Sequence, residues 1–276
     1  METVNCILCR TEDPRPIKKD FVGLVYVGVD GKIEEILADG IFDIWHCDVC
    51  DTRFVTPYQE ADYGKIYNQT ETYTGLLEFA EKIKDDPDPF WTLIGRGQQY
   101  YAVFDFVKNK NGLRILDTGC GYGYMVHALT QLGHSVAGIE VVESVVNKAK
   151  KLYGDMFYLT QIENVYLKDK PDLVIALEVM EHLSDPLKFT QLLQNIVKDG
   201  GNIIITTPDR VYIENRTSSA GESMLKMGWA GEMPPVHLAM YSKKSMEYLA
   251  KKLNMKVEFT NFPGGHAQTI GAIFTK

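Results

Sequence analysis

Residues Ile115-Leu116-Asp117-Thr118-Gly119-Cys120-Gly121-Tyr122-Gly123 carry an apolar strand into a turn with three glycines. The apolar run begins at Leu113. Beyond the turn, Met125, Val126, Leu129 and Leu132 recur three and four residues apart, the spacing of a buried helix face. Glycine lets the backbone take turns closed to other residues and approach a ligand closely. A helix that starts directly after such a turn offers free N–H groups. A second strand, Ser135 to Ile139, ends in Glu140, about twenty residues downstream. A carboxylate there can accept both hydroxyls of a ribose.

Two ligand classes suit this arrangement, a dinucleotide and S-adenosylmethionine (SAM). The spacing is Gly-x-Gly-x-Gly, with Asp117 two residues ahead of the first glycine. A pyrophosphate is anionic and disfavours an acid beside its turn. The amino group of SAM is cationic and suits one. On these residues the chain resembles the class I SAM-dependent methyltransferases over residues 95–276. The resemblance implies a Rossmann-like α/β fold, a doubly wound sheet of seven mostly parallel strands. It also implies SAM contacts from Asp117, Gly119, Cys120, Gly121, Gly123 and Glu140, with Asn164 beside the adenine and Glu178 lining the pocket.

Strand and helix patterns alternate through this half. Helices are expected over residues 142–152, 186–197 and 243–253. Strands are expected over residues 156–159, 172–177, 202–206, 256–260 and 268–274. The segment Asp172 to Leu177 is apolar after its first residue, as a strand buried on both faces requires. Its end leads into Glu178-Val179-Met180-Glu181-His182. That stretch resembles the Glu-x-x-Glu-His of ubiquinone-pathway O-methyltransferases and of small-RNA 2′-O-methyltransferases. In those families the two Glu and the His, with a downstream His, help hold a divalent cation. Here the downstream match is His237. The resemblance therefore implies a catalytic group of Glu181, His182 and His237, clustered with Glu178 about the acceptor, with or without a second divalent cation. Without a cation, His182 is a general base or a buried hydrogen-bonded residue. The long connection from Pro208 to Met240 carries Arg210, Tyr212, Asn215, Arg216, Trp229 and His237, and is expected to recognise the acceptor. Gly264-Gly265-His266 is expected to add a turn on the same side, or to be a plain hairpin.

The other end of the chain has a different chemistry. Four of the five cysteines form Cys6-x2-Cys9 and Cys47-x2-Cys50. Two such knuckles present four thiolates to one ion. The strand-like stretches 21–29 and 41–45 lie between them, so residues 1–60 read as a structural zinc ribbon. His46 is an alternative ligand or a polar neighbour. Residues 61–112 read as a helical linker and lid. One helix carries Leu76, Leu77, Ala80 and Ile83 and is broken by Asp85-Asp86-Pro87-Asp88-Pro89. A second, residues 98–108, is expected against the sheet edge. Tyr58, Tyr63, Tyr67 and Tyr73 are lid or packing residues. Residues 113–276 form the SAM-binding domain.

The net charge is -8, without a basic run, which argues against a nucleic-acid partner. No apolar segment approaches the length of a membrane span, and Met1 to Arg10 lacks a signal-peptide pattern, so a cytoplasmic protein with reduced thiols is expected. The leading functional expectation is SAM-dependent O-methylation of a small polar substrate: a sugar, sugar nucleotide, glycan end or specialised metabolite. A cysteine-rich N-terminal unit on this fold also resembles sugar methyltransferases. C- or N-methylation stays open, as does a zinc-ribbon adaptor with a non-catalytic SAM-binding half. A nicotinamide-dependent dehydrogenase is disfavoured by Asp117 and the glycine spacing.

Overall fold

The computed structural model describes residues 3–12, 14–29, 32–58, 63–64, 71–215, 236–264 and 268–276. Arg216, Trp229, Tyr67, Gly265 and His266 lie outside the described residues, as does the side chain of Tyr73. In chain order the described strands are β1 (Arg15–Val29), β2 (Lys32–Cys47), β3 (Thr52–Thr56), β4 (Arg114–Thr118), β5 (Ser135–Glu140), β6 (Phe157–Leu159), β7 (Leu173–Leu177), β8 (Asn202–Pro208), β9 (Ala239–Met240), β10 (Lys256–Phe259) and β11 (Thr269–Thr275). The described helices are α1 (Glu71–Lys84), α2 (Pro89–Arg96), α3 (Gln98–Val107), α4 (Tyr124–Gln131), α5 (Glu143–Tyr153), α6 (Pro186–Ile196), α7 (Arg210–Asn215) and α8 (Lys243–Lys252).

Seven strands form one sheet in the order β10-β11-β8-β7-β4-β5-β6. The pairs β4–β5, β4–β7, β5–β6 and β7–β8 are parallel. Strand β11 runs antiparallel between β10 and β8. The expected doubly wound sheet is therefore present, with its last strand reversed. In β7, Leu173, Val174, Ile175 and Ala176 are fully buried, because helices cover both faces. On one face Leu93, Tyr100, Val103 and Val107 of α2 and α3 join Met125 and Leu129 of α4 over Ile115, Leu173, Ile175 and Ile204. On the other, Phe189 and Leu193 of α6 and Met246 and Leu249 of α8 pack on Leu116, Val174, Ala176, Ile203 and Ile205. Each such fully buried side chain is worth about 1.5–3 kcal/mol.

A second sheet, antiparallel, has the order β1-β2-β3-β9. Three of its strands come from the cysteine-rich end and the fourth from residues 239–240. Cys6, Ile7, Leu8, Phe42, Ile44, Phe54 and Val55 share one core with Leu238, Tyr241 and Met246. The cysteine unit is thus packed directly on the larger domain.

Two expectations are corrected. Helix α3 does not lie at the sheet edge. Its residues Tyr100, Ala102, Val103 and Val107 cover β11, β8 and β7, inside the edge strand β10, where apolar surface needs burial. The segment Asp85 to Pro89 does stop α1, but helix α2 begins at once. Pro89 sits in the first turn of α2, where a missing N–H costs nothing.

Candidate methyl-donor and acceptor site

The glycine turn joins β4 to α4 at the carboxyl end of the sheet, where ligands of such sheets bind. Gly119 and Gly123 have φ of 72° and 82°, in the left-handed region. A Cβ on Gly119 would lie 2.7 Å from Val179 Cγ2, and one on Gly123 would lie 2.3 Å from the Phe157 ring. Conformation and space both demand glycine there.

Glu140 ends β5 and turns back onto this loop. Its Oε2 accepts from the Gly121 N–H at 3.1 Å. Its Oε1 accepts from the N–H groups of Val141 at 2.7 Å and Val142 at 3.2 Å. Asp117 is 2% exposed, and burial, followed by the charge of Glu140, pushes its carboxyl up to about 8. The structure thus brings Asp117, Gly119, Gly121, Gly123 and Glu140 together. Cys120 shares the turn through its backbone and through a contact of its Sγ with the Gly121 carbonyl at 3.8 Å. Its side chain packs into the core with Val126, Val146, Ala149 and Phe157. Asn164 is exposed, at the end of a short turn after the edge strand β6.

The helix over residues 98–108 is expected from the sequence to cover the SAM pocket, but the pairing of its Tyr100 with Tyr124 is not foreseen there. The Tyr100 hydroxyl donates to the Tyr124 hydroxyl at 3.2 Å. Burial raises Tyr124, with the Tyr100 hydrogen bond and then the Arg96 charge opposing and the Asp117 charge reinforcing. The Arg96 guanidinium lies 4.1 Å from the Phe79 ring centroid. The only sequence signal was an aromatic run near a glycine, Gly97 to Tyr101.

The second group follows β7. Glu178 has a φ of 53°, uncommon for a residue with a side chain, and its N–H donates to the Thr206 carbonyl at 3.0 Å. Burial and the charge of Glu181 hold its carboxyl well above the usual range. Glu181 is 1% exposed, and burial pushes it up to about 8. The Thr207 hydroxyl donates to its Oε2 at 3.1 Å. His182 lies with Nε2 4.0 Å from Glu181 Oε1 and its ring 4.9 Å from that of His237. Its Nδ1 sits 2.8 Å from the Val236 carbonyl, which can only accept, so Nδ1 carries the proton. Burial lowers the pKa of His182 and favours the neutral ring. Tyr63 meets the His182 ring edge-on at 5.6 Å and donates to the same Val236 carbonyl at 3.3 Å. Ligand atoms of Glu181, His182 and His237 lie within 4.8 Å of one another. This oxygen and nitrogen set fits a divalent cation.

The four cysteines also converge. Cys6 and Cys50 sulfurs are 3.5 Å apart, those of Cys9 and Cys47 are 3.4 Å apart, and all four fall within 4.8 Å. Four zinc–sulfur bonds of about 2.3 Å need sulfurs about 3.8 Å apart. Burial pushes the Cys47 thiol up to about 11, and the hydrogen bond to Cys6 pushes Cys50 higher still. A cation among the four sulfurs would offset that cost, so the set fits zinc. His46 turns its Nε2 to Asp48 at 3.3 Å and Asp51 at 3.4 Å, beside the set.

The chain is similar to known proteins. Ubiquinone biosynthesis O-methyltransferase of Bradyrhizobium diazoefficiens is 33% identical over 105 residues, covering 36% of this chain and 41% of that protein. The enzyme of the same name from Vibrio cholerae is 26% identical over 145 residues, covering 47% and 59%. The chain thus spans between two and three fifths of the length of these curated relatives. Among solved structures, the plantazolicin methyltransferase BpumL in complex with SAH superposes with a TM-score of 0.51 at 16% identity, over 77% of this chain and 93% of that one. An S-adenosylmethionine dependent methyltransferase from Mesorhizobium loti gives 0.52 at 15% identity, over 64% and 97%. Both share the fold. No described helix is long and apolar enough to cross a membrane. A family model for the methyltransferase domain matches residues 93–258, more than half of the chain, and the chain belongs to that family.

Proposed function

We propose that this protein transfers the methyl group of SAM to a hydroxyl oxygen of a small polar acceptor, such as a sugar, a sugar nucleotide or a specialised metabolite. The observation that carries this reading is the Glu181–His182–His237 group, with Glu181 and His237 buried and His182 half-buried, within reach of one acceptor atom. SAM supplies an electrophilic methyl on a charged sulfur. Asp117 is positioned to accept from its ammonium and Glu140 from its ribose hydroxyls. Gly119, Gly121 and Gly123 let the chain close around it. The remaining work is alignment of the acceptor oxygen, exclusion of water, and removal of one proton.

His182 takes that proton in this reading. With Nδ1 donating to Val236, Nε2 keeps its lone pair. Burial keeps the ring neutral and able to accept. His237 and Tyr63 pack on the ring and hold its plane. A second reading follows from the same convergence of ligand atoms. Glu181, His182 and His237 hold a divalent cation that lowers the pKa of the acceptor hydroxyl. In either reading the cysteine zinc is structural, since four thiolates leave no open position.

The test incubates the purified chain with SAM and a panel of hydroxylated sugars, sugar nucleotides and phenols, and looks for a mass gain of one methylene. Product that survives full chelation of the second cation favours proton removal by His182. Product that needs added divalent cation favours the second reading. A gain on nitrogen or carbon alone would refute O-methylation.

A further inference from the structure

The Glu181–His182–His237 group is assembled by the cysteine-rich end of the chain as well as by the large sheet. Strand β3 starts two residues after Cys50 and pairs with β9, Arg53 with Met240 and Phe54 with Ala239. The ladder extends one residue further: the Val55 N–H donates to the Leu238 carbonyl at 3.0 Å. The N–H of the same Leu238 donates to the Glu181 carbonyl at 2.8 Å. Leu238 is thus tied on one side to the ribbon and on the other to the turn that carries Glu181 and His182. His237 precedes it, and Val236, whose carbonyl accepts from the His182 Nδ1–H, precedes that.

A second line of bonds joins the knuckle to the same segment. The Asp51 carbonyl, next to Cys50, accepts from the hydroxyls of Ser242 at 3.4 Å and Ser245 at 3.0 Å. The fully buried Tyr241, packed against the knuckle, donates to the Met180 carbonyl at 3.2 Å. Arg210, 7% exposed, closes the frame. Its guanidinium pairs with Asp51 at 2.7 Å and with Glu214 at 2.7 Å, and Glu214 also pairs with Arg53. Its backbone N–H donates to the Tyr241 carbonyl at 2.9 Å. No such bond runs from the knuckle to Asp117, Glu140 or the glycine turn among those described.

We propose that the cysteine knuckle, locked through Arg210, is a positioning element for the acceptor side: it sets the β3–β9 register and thereby the placement of His182 and His237, and leaves the SAM turn independent. The sequence placed Arg210 among the residues expected to recognise the acceptor; its guanidinium is instead engaged by Asp51 and Glu214. It acts by keeping Asp51, Glu214 and Tyr241 in one frame. This inference rests on the proposed function for the meaning of the two histidines, but its geometry can be tested without turnover.

The test follows histidine ring signals by NMR in zinc-loaded full chain, in metal-depleted chain, and in the zinc-loaded Arg210→Met and Arg210→Lys variants. His127, on α4, and His134, in the loop before β5 at the amino end of the large sheet, are internal references away from the knuckle. SAH affinity is measured alongside by calorimetry. The expected result is that metal depletion and Arg210→Met each displace or broaden the His182 and His237 signals. His127 and His134 stay in place, and SAH affinity stays within about twofold. Arg210→Lys, which keeps one charged contact, should recover most of the signal positions. Unmoved His182 and His237 signals in a folded Arg210→Met chain would overturn the proposal. So would a purified chain without zinc, or loss of all four signals together in Arg210→Met, since the knuckle would then be a general stability element. If metal depletion unfolds the chain, the Arg210 pair decides. Failure of zinc-loaded chain to bind SAH would instead refute the methyltransferase reading and leave the histidine comparison standing.

Discussion

His182 donates its Nδ1–H to the Val236 carbonyl at 2.8 Å, and that bond fixes which ring nitrogen can act. The two residues are 54 positions apart in the chain. Nε2 lies 4.0 Å from Glu181 Oε1, and the Glu178 backbone also hydrogen-bonds the ring.

His182→Ala should therefore reduce turnover by about 10²–10⁴-fold, the usual contribution of a positioned base, with SAH affinity unchanged. His237→Ala should also reduce it. Steady-state kinetics on the first acceptor found, with SAH calorimetry as control, checks both. Near wild-type turnover in both variants would remove this cluster from the mechanism.

Asp117 gives a pH dependence with a definite sign. Its folded carboxyl titrates at about 8, above the 3.8 of an ordinary Asp. The neutral form is favoured in the ligand-free fold, so the fold is relatively most stable below pH 3.8 on this account. It loses that contribution as pH rises from 3.8 toward about 8. Binding the SAM ammonium requires the charged form. SAM affinity should rise by up to about tenfold per pH unit between pH 6 and 8. Asp117→Asn should abolish that slope, weaken SAM binding, and raise the melting temperature at pH 8. Calorimetry across pH and thermal melts of both proteins measure this; a flat affinity profile in wild type would refute the role.

Glu140 caps three backbone N–H groups and is the proposed ribose acceptor. Glu140→Ala should weaken SAM binding by about 1.5–3 kcal/mol for each charged hydrogen bond lost. Equal SAM affinity in a folded variant would dismiss the assignment. Circular dichroism confirms the fold before the affinity is compared.

Gly123→Ala should be costly. The left-handed backbone and the collision with the Phe157 ring together predict a loss of about 2–4 kcal/mol of stability. Urea titration reads this directly. A loss below about 0.5 kcal/mol, the level of a neutral surface change, would show that the turn relaxes freely.

Elemental analysis should find one zinc per chain, and Cys47→Ser should reduce it sharply. Because Cys6, Ile7 and Phe54 share a core with Met246 and Leu249, the variant should lower the melting temperature of the whole chain. An unchanged melting temperature would mean the knuckle folds apart from the large domain.

The parallel sheet, the glycine turn, the acid after β5 and the paired cysteines were legible in the sequence. Each rests on local rules: buried strands must be apolar, tight turns need glycine, and one metal ion needs two spaced thiol pairs. Even the bounds of α3, α6 and α8 follow closely from apolar spacing and caps. The position of α3 over β11, β8 and β7, and the start of α2 at Pro89, depended on which apolar surface remained to be covered.

By itself the sequence determined the kind of each element and the chemistry that its residues can offer, because propensity, periodicity and ligand spacing act over a few neighbours. Only the tertiary structure decided which distant groups meet. The β3–β9 pairing places the cysteine knuckle behind His237. The Val236 carbonyl selects the His182 tautomer. The fold of β4 beside β5 buries Asp117 near Glu140 and so raises its pKa. These are contacts between residues far apart in the chain, set by packing and desolvation that no short stretch of sequence encodes.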